Sequence, residues 1–153
     1  MRWLELRVPP PVVGVAAAGL MWFVALAVPS LDFDLPARGA AVLLSALAGL
    51  AIGIAAFLHF RKAKTTVNPM TPEATSALVN AGVYRLTRNP MYLGMLVLLI
   101  AWGLWLSNAA AFLVLPLFVA YINRFQILPE ERALQARFGM EFERYRQSVR
   151  RWL

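Results

Sequence analysis

The sequence predicts an all-α integral membrane protein with four transmembrane helices, the last two a helical hairpin, and an amphipathic cytoplasmic helix at the C-terminal end. Three observations predict it. Hydrophobic residues make up 60% of the 153 and charged ones only 15%, where a soluble domain carries about a quarter charged. The apolar residues lie in long uninterrupted blocks, as bilayer spans require. The lysines and arginines gather beside alternate ends of those blocks, as they do in cytoplasmic connections. One domain covering residues 1–153 is expected.

The first span is Pro10 to Val28, uncharged and following Arg2 and Arg7. Ala25-Leu26-Ala27 resembles a small-residue cleavage site, but the run is longer than a signal peptide's apolar core, so a retained helix is expected. The second span is Ala37 to Phe60. Its Gly39, Ala46, Gly49 and Gly53 suit close packing, and Gly49-Leu50-Ala51-Ile52-Gly53 is a GxxxG, which permits a dimer without requiring one. Asn89 to Asn123 is then uncharged for 35 residues. At about 1.5 Å per residue one helix would reach roughly 50 Å, well past a hydrocarbon core of about 30 Å. Ser107-Asn108 offers turn chemistry near the middle, so the prediction is a hairpin of Met91–Leu106 and Ala109–Phe125. Each arm is slightly short, which draws flanking polar groups inward.

Charge sets the orientation. Arg2 and Arg7 precede the first span, Arg61, Lys62, Lys64, Arg85 and Arg88 fill the connection 61–90, and Arg124 and the basic tail follow the fourth. The opposite connections carry Asp32 and Asp34 or no charge at all. Both termini are therefore expected in the cytoplasm. In the C-terminal segment 130–152, Phe142, Tyr145, Val149 and Trp152 recur at helical spacing. They read as the apolar face of a helix on the anionic leaflet, or as a helix folded back over the polar clusters; the two readings are compatible.

Composition excludes several classes. Without cysteine and with one histidine, thiolate metal sites, cysteine nucleophiles and multi-imidazole zinc sites are out, and no metal is expected. The net charge of +7 flanks spans instead of forming a free basic stripe, so it marks topology and not nucleic-acid binding.

Two polar clusters remain at the ends of the predicted hairpin. One is Gly82-Val83-Tyr84-Arg85-Leu86-Thr87-Arg88-Asn89-Pro90-Met91-Tyr92-Leu93-Gly94, the other Pro129-Glu130-Glu131-Arg132. A hairpin brings them to one side, and charge at membrane depth marks function. Bland readings stand beside this one: Arg85 and Arg88 as interfacial anchors, Pro90 as a first helical residue, and Glu130 or Glu131 as helix N-terminal charges. Trp102, Trp105 and Tyr121 read as aromatic belts, and His59 as an interfacial histidine.

Thr66-Val67-Asn68-Pro69, Gly82-Val83-Tyr84-Arg85, Arg88 to Gly94, Glu130-Glu131, Phe138-Gly139 and Tyr145, in that order, resemble the isoprenylcysteine carboxyl methyltransferase family, specifically its short bacterial members, and more distantly the phospholipid N-methyltransferases. The resemblance covers Thr65 to Trp152. It implies S-adenosylmethionine as methyl donor, in a cytoplasm-facing pocket built by the last two helices and the C-terminal segment. It also implies a lipophilic small-molecule acceptor entering from the membrane lipids. Carried over residue by residue, the cofactor site is Tyr84, Arg88, Asn89, Pro90, Tyr92, Gly94, Glu130 and Glu131, with Arg88, Glu130 and Tyr92 nearest the chemistry. Where the eukaryotic prenylcysteine enzymes have Arg-Val-Pro, this chain reads Ser148-Val149-Arg150, leaving Arg146 and Arg150 as candidates for binding substrate.

The residue types fit that chemistry. Arg88 is a planar two-pronged donor for a carboxylate, and Asn89 both donates and accepts. Glu130 and Glu131 accept from an ammonium or ribose hydroxyls, but as helix neighbours they point about 100° apart, so one of them is expected to face the cofactor. Gly82 and Gly94 allow close backbone approach. A carboxylate acceptor needs no base; an amine or hydroxyl does, with Glu130 or Tyr92 as candidates. Two alternatives are carried: a membrane reductase of sterol-reductase type using NADPH, for which Arg144, Arg146, Arg150 and Arg151 would serve the phosphates, and a non-enzymatic small membrane protein.

Overall fold

The structure, a computed structural model, describes residues 5–62 and 77–153; Arg2, Lys64 and the Thr66-Val67-Asn68-Pro69 motif lie outside the described residues. Helix α1 spans Pro10–Ala27 and α2 spans Arg38–Lys62. After them come α3 (Pro90–Leu106), α4 (Val114–Ile122), α5 (Leu128–Phe138) and α6 (Met140–Ser148). Three helical stretches are long and apolar enough to cross a membrane: Pro10–Ala27, Arg38–Lys62 and Ala110–Phe138. The fourth apolar helix, α3, has 17 residues, so at about 1.5 Å each it covers roughly 25 Å. Rows of large apolar side chains on α1 (Val15, Trp22, Phe23, Leu26) and α2 (Leu43, Leu44, Leu47, Ile54) point outward. Only lipid makes such faces cheap. The chain is an integral membrane protein.

Helices α2 and α3 form the closest pair, and glycine sets their approach. A Cβ on Gly49 would lie 2.9 Å from the Gly94 carbonyl oxygen, and one on Gly94 would lie 2.8 Å from that of Gly49. The first glycine of the GxxxG is thus used within the chain, against α3, where the sequence left it open to a second copy.

The hairpin turn falls where Ser107-Asn108 placed it. Ser107 ends α3 at φ +52, and Asn108 is fully buried. Its Nδ2 donates to Val28 O (2.8 Å) and Asp32 Oδ1 (2.7 Å), and its Oδ1 accepts from Ala111 N at 3.1 Å. One side chain therefore joins both connections at this end. We expect Asn108→Ala to cost about 1–3 kcal/mol, since it removes three hydrogen bonds and leaves the buried Ala111 amide without its acceptor. Thermal unfolding in detergent reads this, and an unchanged midpoint would contradict it.

The C-terminal third departs from expectation. The fourth span does not stop near Phe125; it runs through a wider π-helical turn, Asn123–Ile127, directly into α5. Pro129 explains the turn. It has no N–H for the carbonyl four residues back, and that carbonyl, Phe125 O, accepts instead from Leu6 N at 3.0 Å. The segment 130–152 is also not one helix. Gly139 at φ +51 closes α5, in the left-handed region that glycine enters freely, and α6 ends at Ser148. Val149 is extended (φ −129, ψ 134), so the predicted stripe splits. Phe142 and Tyr145 pack with Tyr84 and Ala56, whereas Trp152 packs against the other core and donates Nε1 to Asn123 Oδ1 at 3.0 Å.

Candidate active site

A cavity of about 410 Å³ lies where α2 ends and α3 and α5 begin, within the range of ligand pockets. Its wall holds Phe60, Tyr84, Arg88, Asn89, Pro90, Met91, Tyr92, Glu130, Glu131, Leu134, Phe142 and Tyr145, with Pro10, Pro11, Gly53 and Met95 from the spans. The two polar clusters do meet.

The floor near Tyr84 is set by a 3₁₀ turn, Gly82–Arg85. Gly82 sits at φ +60 with the His59 ring where a Cβ would be; no other residue fits there. His59 itself bonds Ala55 O through Nδ1 at 2.7 Å. Tyr84 packs edge-on to Phe60, with ring centroids 5.5 Å apart at 81°. Tyr145 Oη donates to Tyr84 O at 2.7 Å. Burial raises both phenols above their ordinary value, so both remain protonated donors.

Arg88 is a clamp. Its Nη2 pairs with Glu131 Oε1 at 2.8 Å, with the two side chains 10% and 13% exposed. Its Nη1 donates to Arg146 O and Val149 O, both at 2.8 Å, and its amide to Arg150 O at 3.0 Å. Arg151 grips Glu131 from the other side, Nη2 to Oε2 at 2.6 Å. Thr87 Oγ1 (3.1 Å) and Asn89 Nδ2 (2.8 Å) both donate to Arg151 O. The tail after α6 is thereby fastened across the start of α3. Glu130 stands apart: it accepts from the Tyr92 hydroxyl of α3.

Of the residues predicted from sequence, Tyr84, Arg88, Asn89, Pro90, Tyr92, Glu130 and Glu131 share the cavity wall. Both glutamates reach it, not one, but with different partners. Gly94 lies at the α2–α3 crossing and not in the wall. Arg146 and Arg150 are absent from the wall too; they serve through their backbone carbonyls, and the Arg146 side chain pairs with Glu143 at 3.0 Å. Thr87, Arg151 and Leu134 were missed. Thr87 sat unused inside the quoted motif, and Arg151 was one of several tail arginines.

The wall suits a small molecule that is polar at one end and apolar at the other. Arg88 Nε is buried and makes no hydrogen bond. Glu130 offers a carboxylate to a cation, and the aromatic and aliphatic wall offers an apolar slot.

Comparison with known proteins agrees. The family model for phospholipid methyltransferases matches residues 37–141. An uncharacterized protein of Haemophilus influenzae (strain ATCC 51907 / DSM 11121 / KW20 / Rd) is 52% identical over 63 residues, which is 41% of this chain and all of that protein. No solved structure matches. The family match spans well over half the chain and includes α2, α3, α5 and both polar clusters; this chain belongs to the phospholipid methyltransferase family of membrane methyltransferases.

Proposed function

We propose that this chain transfers a methyl group from S-adenosylmethionine to a lipophilic acceptor drawn from the membrane. The observation that carries the reading is one cavity with two characters: a charged end of Arg88, Glu130 and Glu131, and an apolar end of Gly53 and Met95 deeper on α2 and α3. Bound there, S-adenosylmethionine supplies a methyl group on a sulfonium, which is neutralised as the methyl leaves. Glu130, held by Tyr92, faces the cationic donor. The clamp Arg88–Glu131–Arg151 keeps the tail closed, and Phe142 and Tyr145 help exclude water, which strengthens every charge interaction inside. The remaining work is alignment of donor and acceptor. For an amine or hydroxyl acceptor, Glu130 is also the candidate base.

An isoprenoid-cysteine carboxylate remains one candidate acceptor and a membrane lipid another, and the specific kinship with the isoprenylcysteine enzymes belongs to this proposal. The basic residues Arg61, Lys62, Arg85 and Arg124 support placing the cavity end at the cytoplasmic face of an inner membrane. Arg146 and Arg150 lie off the cavity wall, which counts against a dinucleotide-phosphate site.

Calorimetric titration with S-adenosylhomocysteine, beside NADPH, tests the reading. Micromolar binding of the first is expected, weakened about tenfold, or about 1.4 kcal/mol, in Glu130→Gln. That variant keeps an acceptor for Tyr92, so its melting point should hold. Binding of NADPH alone would sink the proposal.

A further inference from the structure

We propose that Gly53 determines which acceptor enters: bare of a side chain, it keeps the membrane-depth end of the cavity open for one apolar chain. The inference rests on the methyl-transfer reading of the same cavity. The two glycines of the GxxxG differ. A Cβ on Gly49 would strike Gly94 O and Leu98, while a Cβ on Gly53 meets nothing within 4 Å. Helix packing therefore explains Gly49 and does not explain Gly53. The open space beside Gly53 is the cavity, whose wall it forms.

Its depth follows from the helices. Gly53 lies seven residues before Phe60 on α2, about 10 Å deeper, and Met95 five after Pro90 on α3, about 7 Å deeper. They share a level: a Cβ on Gly94, next to Met95, would be 3.4 Å from Gly53 Cα. Gly53 and Met95 offer no strong side-chain hydrogen-bonding group, so that end takes hydrocarbon. The cavity, about 410 Å³, is near the small end of the usual range of about 300–1,000 Å³ and must also admit the donor. The acceptor class is a polar head carrying a prenyl or acyl chain, with one such chain lying beside Gly53.

The test uses the full chain in phosphatidylcholine nanodiscs. Tritiated methyl transfer from S-adenosylmethionine is measured to N-acetyl-S-farnesylcysteine, to lysophosphatidylethanolamine and to dioleoyl-phosphatidylethanolamine, with S-adenosylhomocysteine titrated in parallel. Gly53→Leu should lower transfer to the one-chain probes about tenfold or more while cofactor affinity stays within about twofold, with Gly53→Ala between. Wild-type rates in Gly53→Leu would overturn the proposal. A third arm does not depend on turnover. The chain has no cysteine, so Gly53→Cys carries the sole thiol, and a one-chain probe should protect it from N-dodecylmaleimide. If wild type binds no S-adenosylhomocysteine, the methyl-transfer reading fails by itself, and this protection still decides for or against the slot.

Discussion

Glu131→Ala should destabilise the protein by about 3–5 kcal/mol, because it leaves the Arg88 guanidinium buried and uncompensated. Arg88 is only 10% exposed and Glu131 13%, so solvent cannot take over the lost partner. Arg151 adds less, being 35% exposed; screening reduces its share. The effect should also be local. Arg88 Nη1, the Arg88 amide, Thr87 Oγ1 and Asn89 Nδ2 hold the tail by its carbonyls, and a displaced Arg88 loosens Val149 to Trp152. Limited trypsinolysis should then cut after Arg150 and Arg151 in Glu131→Ala and spare them in wild type. Glu131→Gln, which keeps one acceptor for Arg88, should fall between. A wild-type melting point with a protected tail would show that the ion pair contributes nothing.

That clamp marks the boundary of what the sequence could disclose. The spans were legible because run length and charge placement are local quantities: α1 and α2 fall within two residues of the expected 10–28 and 37–60. The turn at Ser107-Asn108 was legible because its residues carry turn chemistry. The shared wall of Tyr84, Arg88, Tyr92 and Glu130 followed from the hairpin alone. The roles of Arg146 and Arg150 did not, because a sequence displays side chains, and these two act through carbonyls placed by the chain's exit from α6. Arg151 was equally hidden. Which tail arginine turns inward depends on the break at Gly139 and the extended Val149, and helical periodicity carried through both points to the wrong face. The sequence also expected one glutamate toward the cavity from an ideal 100° step; both line it because one meets Tyr92 and the other bridges two arginines.

Gly94 was placed with the cofactor from sequence and with the helix crossing by the structure, and one substitution separates these roles. Gly94→Val is expected to cost about 1–3 kcal/mol or more, since its Cβ alone would lie 2.8 Å from Gly49 O and 3.1 Å from Gly53 N, and backbone cannot yield as a flexible side chain would. Helices α2 and α3 must part at this crossing. The folded yield and melting point should therefore drop, while the fraction that folds binds S-adenosylhomocysteine with near wild-type affinity. If Gly94 instead served close approach of the cofactor, affinity would fall at an unchanged melting point. A cycle with Gly49→Ala sharpens the distinction. Both glycines guard the same contact, so once Gly94→Ala has opened the crossing, Gly49→Ala should cost less than it does alone. Strict additivity of the two would place them at separate contacts and remove the crossing as the reason for either glycine.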